Sequence, residues 1–225
     1  MDIMNIKAAI FDMDGTLVDS LMLWDILWST LGEKYLYNKD FTPTIEDDKK
    51  VRTLTLDGAM ELIHKNYRIG KSGEELLTLA NDIIGDFYAN KVELKDGVLE
   101  FLEYCHKKGV KMCIASATAP ELLNTAIKHC KIERFFSEIF SCATLGKGKD
   151  KPDIYLLAKK FLGEKTEDTW VFEDSLTAIE TAVKIGMPTV GIYDRYNFGQ
   201  ERIEKIATEY IADGETLLKL FYIDN

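Results

Sequence analysis

Asp12 and Asp14 stand two positions apart directly after an apolar run, Ile6 to Phe11, and Gly15 follows at once. A short, mainly apolar run of this length reads as a buried strand, which puts both carboxylates at its carboxyl end, where open α/β sheets bind ligands. Two carboxylates are costly to hold together there unless a cation lies between them or one keeps its proton. The pair therefore predicts a metal site, an acid/base pair, or both. Gly15 lets the backbone turn sharply, so that main-chain N–H groups can point at an anion. The competing explanation is a plain strand-to-turn exit with Asp as turn former.

Three further elements follow in chain order, each just past a strand-like run or at the start of a helix. Ser116 succeeds KMCIA, and its hydroxyl can donate to a phosphate oxygen; taken alone it reads equally well as a turn or capping serine. Lys149 lies in GKGKDKPD before a helical pattern, where a cation could neutralise charge developing on a phosphoryl group. Lys147 and Lys151 are close rivals, since lysines in such loops are usually solvated. Glu173 and Asp174 close the run TWVF and offer the hard oxygen ligands that magnesium prefers, or alternatively acids suited to a helix N-terminus. Each signal is weak singly, but their order and context reinforce one another.

The elements that must hold these residues divide the chain near residue 95. Beyond it, strand-like runs alternate with helical patterns, the signature of parallel strands joined by crossover helices and hence of an α/β fold. Helices near 97–108 and 175–185 are expected to end at Gly109 and Gly186. Thr118 with Glu121 has capping-box spacing, and Pro152 suits the first turn of a helix running through Ile154, Leu157 and Phe161. Before residue 95 the pattern predicts helices only, over Leu21–Leu31, Leu54–Tyr67 and Glu74–Ala89, with Ser72 and Glu75 as a second capping box and no second strand. The charge run EDDKK at 46–50 reads as a solvated helix face or turn. A Rossmann-like parallel-sheet core over 1–19 and 93–225 is thus expected to carry an inserted all-helical domain over 20–92, hinged near Val18–Ser20 and Lys91–Asp96.

With 225 residues, 46% of them apolar, the chain can bury a sizeable core. Its net charge of −10 repels phosphate backbones and anionic lipid, which argues against nucleic acid and membrane partners. The N-terminus lacks a basic lead-in and Asp25 interrupts the most apolar early stretch, so a soluble, cytoplasmic protein is expected. Cys105, Cys113, Cys130 and Cys142 form no C-x-x-C pair and read as reduced, buried thiols. His64, His106 and His129 fall outside every motif.

Together these segments resemble the haloacid dehalogenase superfamily of phosphotransferases, particularly members with a helical cap inserted after the first motif. DMDGTLVDS matches the first motif, IASAT the second, GKGKDKPDIY looks like the third, and VFEDSLTAIETAVKIGMPTVGI is similar to the fourth and its continuation. KDGVLEFL resembles the return from the cap, with Asp96 where a proline is common. The resemblance implies a magnesium-dependent phosphatase, acting as a monomer on a small phosphorylated metabolite. It makes Asp12 the nucleophile and Asp14 the acid and base. Magnesium would be held by Asp12, Asp174, the backbone carbonyl of Asp14 and, through water, Glu173. Ser116 and Lys149 would grip the phosphoryl group, with Met13, Gly15, Thr16 and Ala117 around it.

Two departures leave alternatives open. Asp150 replaces the usual proline of the third motif, so the lysine assignment could slip from Lys149 to Lys151. The second motif lacks the asparagine common in phosphatases and looks more like the sugar-phosphate mutase branch, which keeps a β-phosphoglucomutase activity as runner-up. The cap histidine of those mutases would align near Trp24, and VRTLTLDG offers no clear match to their cap arginine, although Arg52 is nearby. A catalytically silent phosphate- or partner-binding module is the reading from another class. Substrate choice would fall to the cap, where Trp24, Trp28, Tyr35, Lys50 and Arg52 could line a pocket, although aromatics at helical spacing more often pack a core.

Overall fold

In the computed structural model, residues 6–52 and 54–221 are described; the first five residues, on which part of the N-terminal expectation rests, lie outside that range. The strands are β1 (Ala8–Phe11), β2 (Val18–Asp19), β3 (Glu93–Leu94), β4 (Lys111–Ser116), β5 (Ile139–Ser141), β6 (Thr169–Glu173), β7 (Thr189–Ile192) and β8 (Glu209–Ile211). The helices are α1 (Leu23–Leu36), α2 (Ile45–Val51), α3 (Leu56–Tyr67), α4 (Gly73–Asn90), α5 (Val98–Lys107), α6 (Pro120–His129), α7 (Cys142–Leu145), α8 (Asp153–Leu162), α9 (Leu176–Lys184) and α10 (Gln200–Ile206). None of the described helices is long and apolar enough to cross a membrane.

Six strands form one parallel sheet in the order β5-β4-β1-β6-β7-β8, confirming the α/β class. Strand β1 is central, with Ile10 between Cys113 of β4 and Val171 of β6. Its four residues are all buried, as expected of a parallel strand covered on both faces. Ala8 and Ile10 face a cluster that includes Tyr155 and Ala158 of α8 and Ala182 of α9. On the other face Phe11 stacks on Phe172, ring centroids 4.5 Å apart, and meets Phe101 of α5 edge-on at 6.3 Å. The chain builds β4 and β5 on one side of β1 and β6 to β8 on the other. The order therefore reverses at β1, and the crevice beyond the carboxyl ends of β1, β4 and β6 is where such sheets place ligands. At the far side of the sheet, a Cβ on Gly191 of β7 would lie 2.4 Å from Ile203 Cγ2, so only glycine fits under α10.

By contacts the chain separates into two compact units, Met1–Ser20 with Val92–Asn225, and Leu21–Lys91. The second is all-helical and owns its core, built around Leu27, Trp28 and Leu31 of α1, Met60 and Ile63 of α3 and Leu76 of α4. Ser72 caps α4 as its spacing predicts, accepting from the Glu75 N–H at 3.2 Å; the Glu75 carboxylate accepts instead from the Lys71 N–H. The run EDDKK is helical, inside α2, with Thr44 as its cap.

Three local expectations are corrected. Strands β2 and β3, too short for a periodic signal, pair antiparallel as a separate two-stranded ribbon, Val18 opposite Leu94 and Asp19 opposite Glu93, where a strand-free stretch was expected. Thr118 does not cap α6, which begins at Pro120 without a side-chain cap, because its hydroxyl is committed elsewhere. Helix α8 buries Ile154, Tyr155, Ala158 and Leu162, while Leu157 and Phe161 are exposed, so its inner face is rotated from the expected one. The four cysteines are free, three buried and Cys130 half-buried; burial pushes the Cys105 thiol up to about 12.

Candidate active site

Asp12 follows β1, and its backbone N–H continues the ladder to Phe172 O at 2.9 Å, so the side chain is delivered to the sheet edge by register. Gly15 adopts φ 77°, the left-handed conformation that lets the loop fold back. Inside that turn Met13 O accepts from the N–H groups of Thr16, Leu17 and Val18, and the Gly15 N–H donates to Val18 O. The amides of Gly15 and Thr16 are thereby occupied. The Thr16 hydroxyl donates to Asp174 Oδ1 at 3.2 Å.

Asp14 receives one hydroxyl on each oxygen: Ser20 Oγ on Oδ1 and Thr118 Oγ1 on Oδ2, both at 2.7 Å. Ser116, buried at the end of β4, accepts the Thr118 N–H at 3.1 Å, and Ser141 Oγ donates to Thr118 O at 2.7 Å. Ala117 is exposed at the same strand end.

Geometry distinguishes the three lysines. Lys149 Nζ lies 2.5 Å from Asp12 Oδ1 and donates to Glu173 Oε2 at 2.7 Å, with its side chain 10% exposed. Lys147 pairs with Asp153 and Lys151 with Asp150, both at the surface. Glu173 also accepts from Tyr155 OH at 3.3 Å and from the Ser175 N–H at 3.3 Å. Asp174 accepts the Asn197 amide on Oδ2.

Carboxylate oxygens of Asp12, Glu173 and Asp174, all buried, come within 4.8 Å of one another; the Asp14 carboxylate is not part of that cluster. Burial, reinforced by Glu173 and opposed by Lys149, pushes the Asp12 carboxyl up to about 7. Burial, then the charges of Glu173 and Asp12, hold Asp174 well above the usual carboxylate range. Burial acts against the Lys149 ammonium, but Asp12 and Glu173 override it and keep its pKa well above the ordinary lysine value. One ammonium thus faces three carboxylates, paired directly with Asp12 and Glu173 but not with Asp174. A hard divalent cation fits this set: three clustered carboxylates offer it oxygen ligands, and it would cancel their surplus charge.

The sheet order, with buried acids after β1 and β6 placed to hold a metal ion, defines an α/β class with an acid-lined crevice at its switch point. Residues 6–186 match the haloacid dehalogenase-like hydrolases, and the chain belongs to that family. A phosphorylated carbohydrates phosphatase of Thermotoga maritima is 24% identical over 94% of this chain and 96% of its own. A phosphoglycolate phosphatase of Pseudomonas syringae pv. tomato is 27% identical over 94% of this chain and 78% of its own. Among solved structures, a Thermotoga maritima protein provisionally described as a β-phosphoglucomutase superposes with a TM-score of 0.80 at 24% identity, covering 96% of this chain and 99% of that one.

Residues to which sequence reasoning gave no role also reach the site, two of them within motifs (Thr118 of IASAT, Tyr155 of GKGKDKPDIY) and Asn197 beyond the last. Tyr155, Asn197 and, through its hydroxyl, Thr118 contact Glu173, Asp174 and Asp14 respectively. The expected face through Ile154, Leu157 and Phe161 left Tyr155 aside, and nothing in the sequence distinguishes its hydroxyl contact from plain packing.

Proposed function

We propose that this chain is a cytoplasmic, monomeric, magnesium-dependent phosphatase that hydrolyses a small phosphorylated metabolite at Asp12. The observation that carries the proposal is the buried Asp12 carboxylate, paired with Lys149 at 2.5 Å and gathered with Glu173 and Asp174 at the switch point of the sheet. The phosphatase names of its relatives point the same way.

In the first step Asp12 attacks phosphorus, an acyl-phosphate bond forms, and the bond to the leaving oxygen breaks while Asp14 protonates that oxygen. In the second, Asp14 takes a proton from water, which attacks phosphorus and releases phosphate and the Asp12 carboxylate. Lys149 and Ser116 hold the oxygens of the group in transfer. Asp12, Asp174 and Glu173, with the Asp14 carbonyl, would hold magnesium, which when bound would supply the charge neutralisation that lets an anionic nucleophile meet an anionic substrate. Residues 20–92 act as the substrate-selecting cap. Within that helical unit Arg52 pairs with Asp48 at 2.9 Å and lies 5.6 Å from the Trp24 ring centre, while the Trp28 indole donates to Asp48 at 3.1 Å.

The test is hydrolysis of 4-nitrophenyl phosphate with magnesium. Turnover abolished by a chelator and by Asp12→Asn, in a variant that melts cooperatively, is expected; substantial residual activity in Asp12→Asn would overturn the nucleophile. The missing asparagine of the second motif favours one other reading, a sugar-phosphate mutase. Conversion of β-glucose 1-phosphate to glucose 6-phosphate with a trace of the bisphosphate, in place of phosphate release, would establish it.

A further inference from the structure

The loop after β7 belongs to none of the sequence motifs, yet it is tied down like a functional element. Asp194, 4% exposed, accepts Lys95 Nζ on Oδ2 at 2.8 Å and the Tyr196 N–H on Oδ1 at 2.9 Å. Its carbonyl accepts the Asn197 N–H at 3.1 Å and Gln200 Nε2 at 3.0 Å. Held this way, Asn197 turns its side-chain amide onto Asp174, donating to Oδ2 and, at 3.3 Å, to the backbone carbonyl. The reverse amide orientation would set an oxygen against a carboxylate, so these acceptors assign it.

Lys95 makes this more than a local contact. Its ammonium also donates to Gly15 O at 2.8 Å and to Tyr193 O at 3.1 Å. One cation therefore binds both the turn after β1 and the loop after β7. Each of those loops supplies one donor to Asp174: Thr16 to Oδ1 and Asn197 to Oδ2. A carboxylate offers about four lone-pair sites, so one donor on each oxygen fixes the plane of the group and leaves a lone pair on each for a cation.

We infer that Asn197 is a positioning residue for the metal site, and that Lys95 with Asp194 is the strut that aims it and Thr16 at Asp174. This rests on the magnesium reading above. Partners of this kind around metal ligands typically govern about 10- to 100-fold in affinity.

The test is calorimetric titration of Mg2+ into metal-free protein, with melting curves recorded in its absence. Asn197→Ala is expected to weaken Mg2+ binding about 10- to 100-fold while its metal-free melting temperature stays near that of the parent, a split that a purely structural role would not produce. Lys95→Met should weaken it similarly, and the double variant by less than the product, since both act through one carboxylate. An unchanged dissociation constant in Asn197→Ala would overturn the inference, as would strictly multiplicative effects. Should Lys95→Met fail to fold, Asn197→Ala alone decides. A parent protein that binds no Mg2+ overturns the metal reading itself, an outcome distinct from a parent that binds and a variant that binds equally well.

Discussion

Thr118 Oγ1 donates to Asp14 Oδ2 across 104 residues of chain, at 2.7 Å, and mirrors Ser20 on the opposite oxygen. Two hydroxyls fix the carboxyl that, in the proposed mechanism, passes a proton to the leaving group. Thr118→Val keeps the shape and removes one of them, so kcat is expected to fall about tenfold with little change in KM, given that small displacements of a catalytic group are costly. The loss should be larger for an alkyl phosphate than for 4-nitrophenyl phosphate, whose leaving group needs less protonation. Equal losses on both substrates would remove Thr118 from proton transfer.

Lys149 and Lys151 separate cleanly. Lys149→Met leaves Asp12 and Glu173 without their shared counter-ion, which should lower kcat/KM about 10²- to 10³-fold and destabilise the fold by about 3–5 kcal/mol. Lys151 is largely exposed beside Asp150, at 3.5 Å, and Lys151→Met should behave like the parent in both assays. Steady-state kinetics and urea denaturation of the two variants check this.

The raised pKa of Asp12 has a definite sign. Its folded-state value, about 7, lies above the ordinary 3.8, so the folded metal-free protein favours the protonated form. The stability this group contributes is full below about pH 4 and is lost as pH rises through about 7. The melting temperature of metal-free protein should therefore decline between pH 5 and 7.5 more than that of Asp12→Asn. Cation binding requires the ionised carboxylate, so Mg2+ affinity should rise with pH, up to about tenfold per unit, until about pH 7, and binding should release a proton. Affinity independent of pH between 5.5 and 7.5 would contradict this.

Gly191 tests the sheet apart from the chemistry. Gly191→Ala drives a methyl into Ile203 and toward Tyr210, and should cost about 1–3 kcal/mol through overpacking, read as a lower melting temperature.

Much of the site was legible because its acids follow strand-like runs in a telling order, whereas Lys149 was separated from Lys147 and Lys151 only by the structure. Asp12, Asp14, Glu173 and Asp174 follow apolar runs that can only be strands, and strand ends are where a parallel sheet gathers its loops. Thr118 shows the limit of local reading: its spacing to Glu121 imitates a helix cap, but α6 starts only at Pro120 and the Thr118 hydroxyl donates instead to Asp14. Lys95 and Asn197 could not be found in this way. Their partners lie on loops that meet only once the sheet has closed, and no periodicity encodes that meeting. The two-residue strands β2 and β3, like the three-residue β5 and β8, are too brief to show an alternating pattern.

The small ribbon of β2 and β3 has a consequence for how this chain can vary. Departure and re-entry of the long excursion Leu21–Lys91 are hydrogen-bonded neighbours, Val18 beside Leu94. The excursion therefore leaves and rejoins the core at one hydrogen-bonded threshold, so that an insertion of another length or shape could be spliced there with both of its ends already joined.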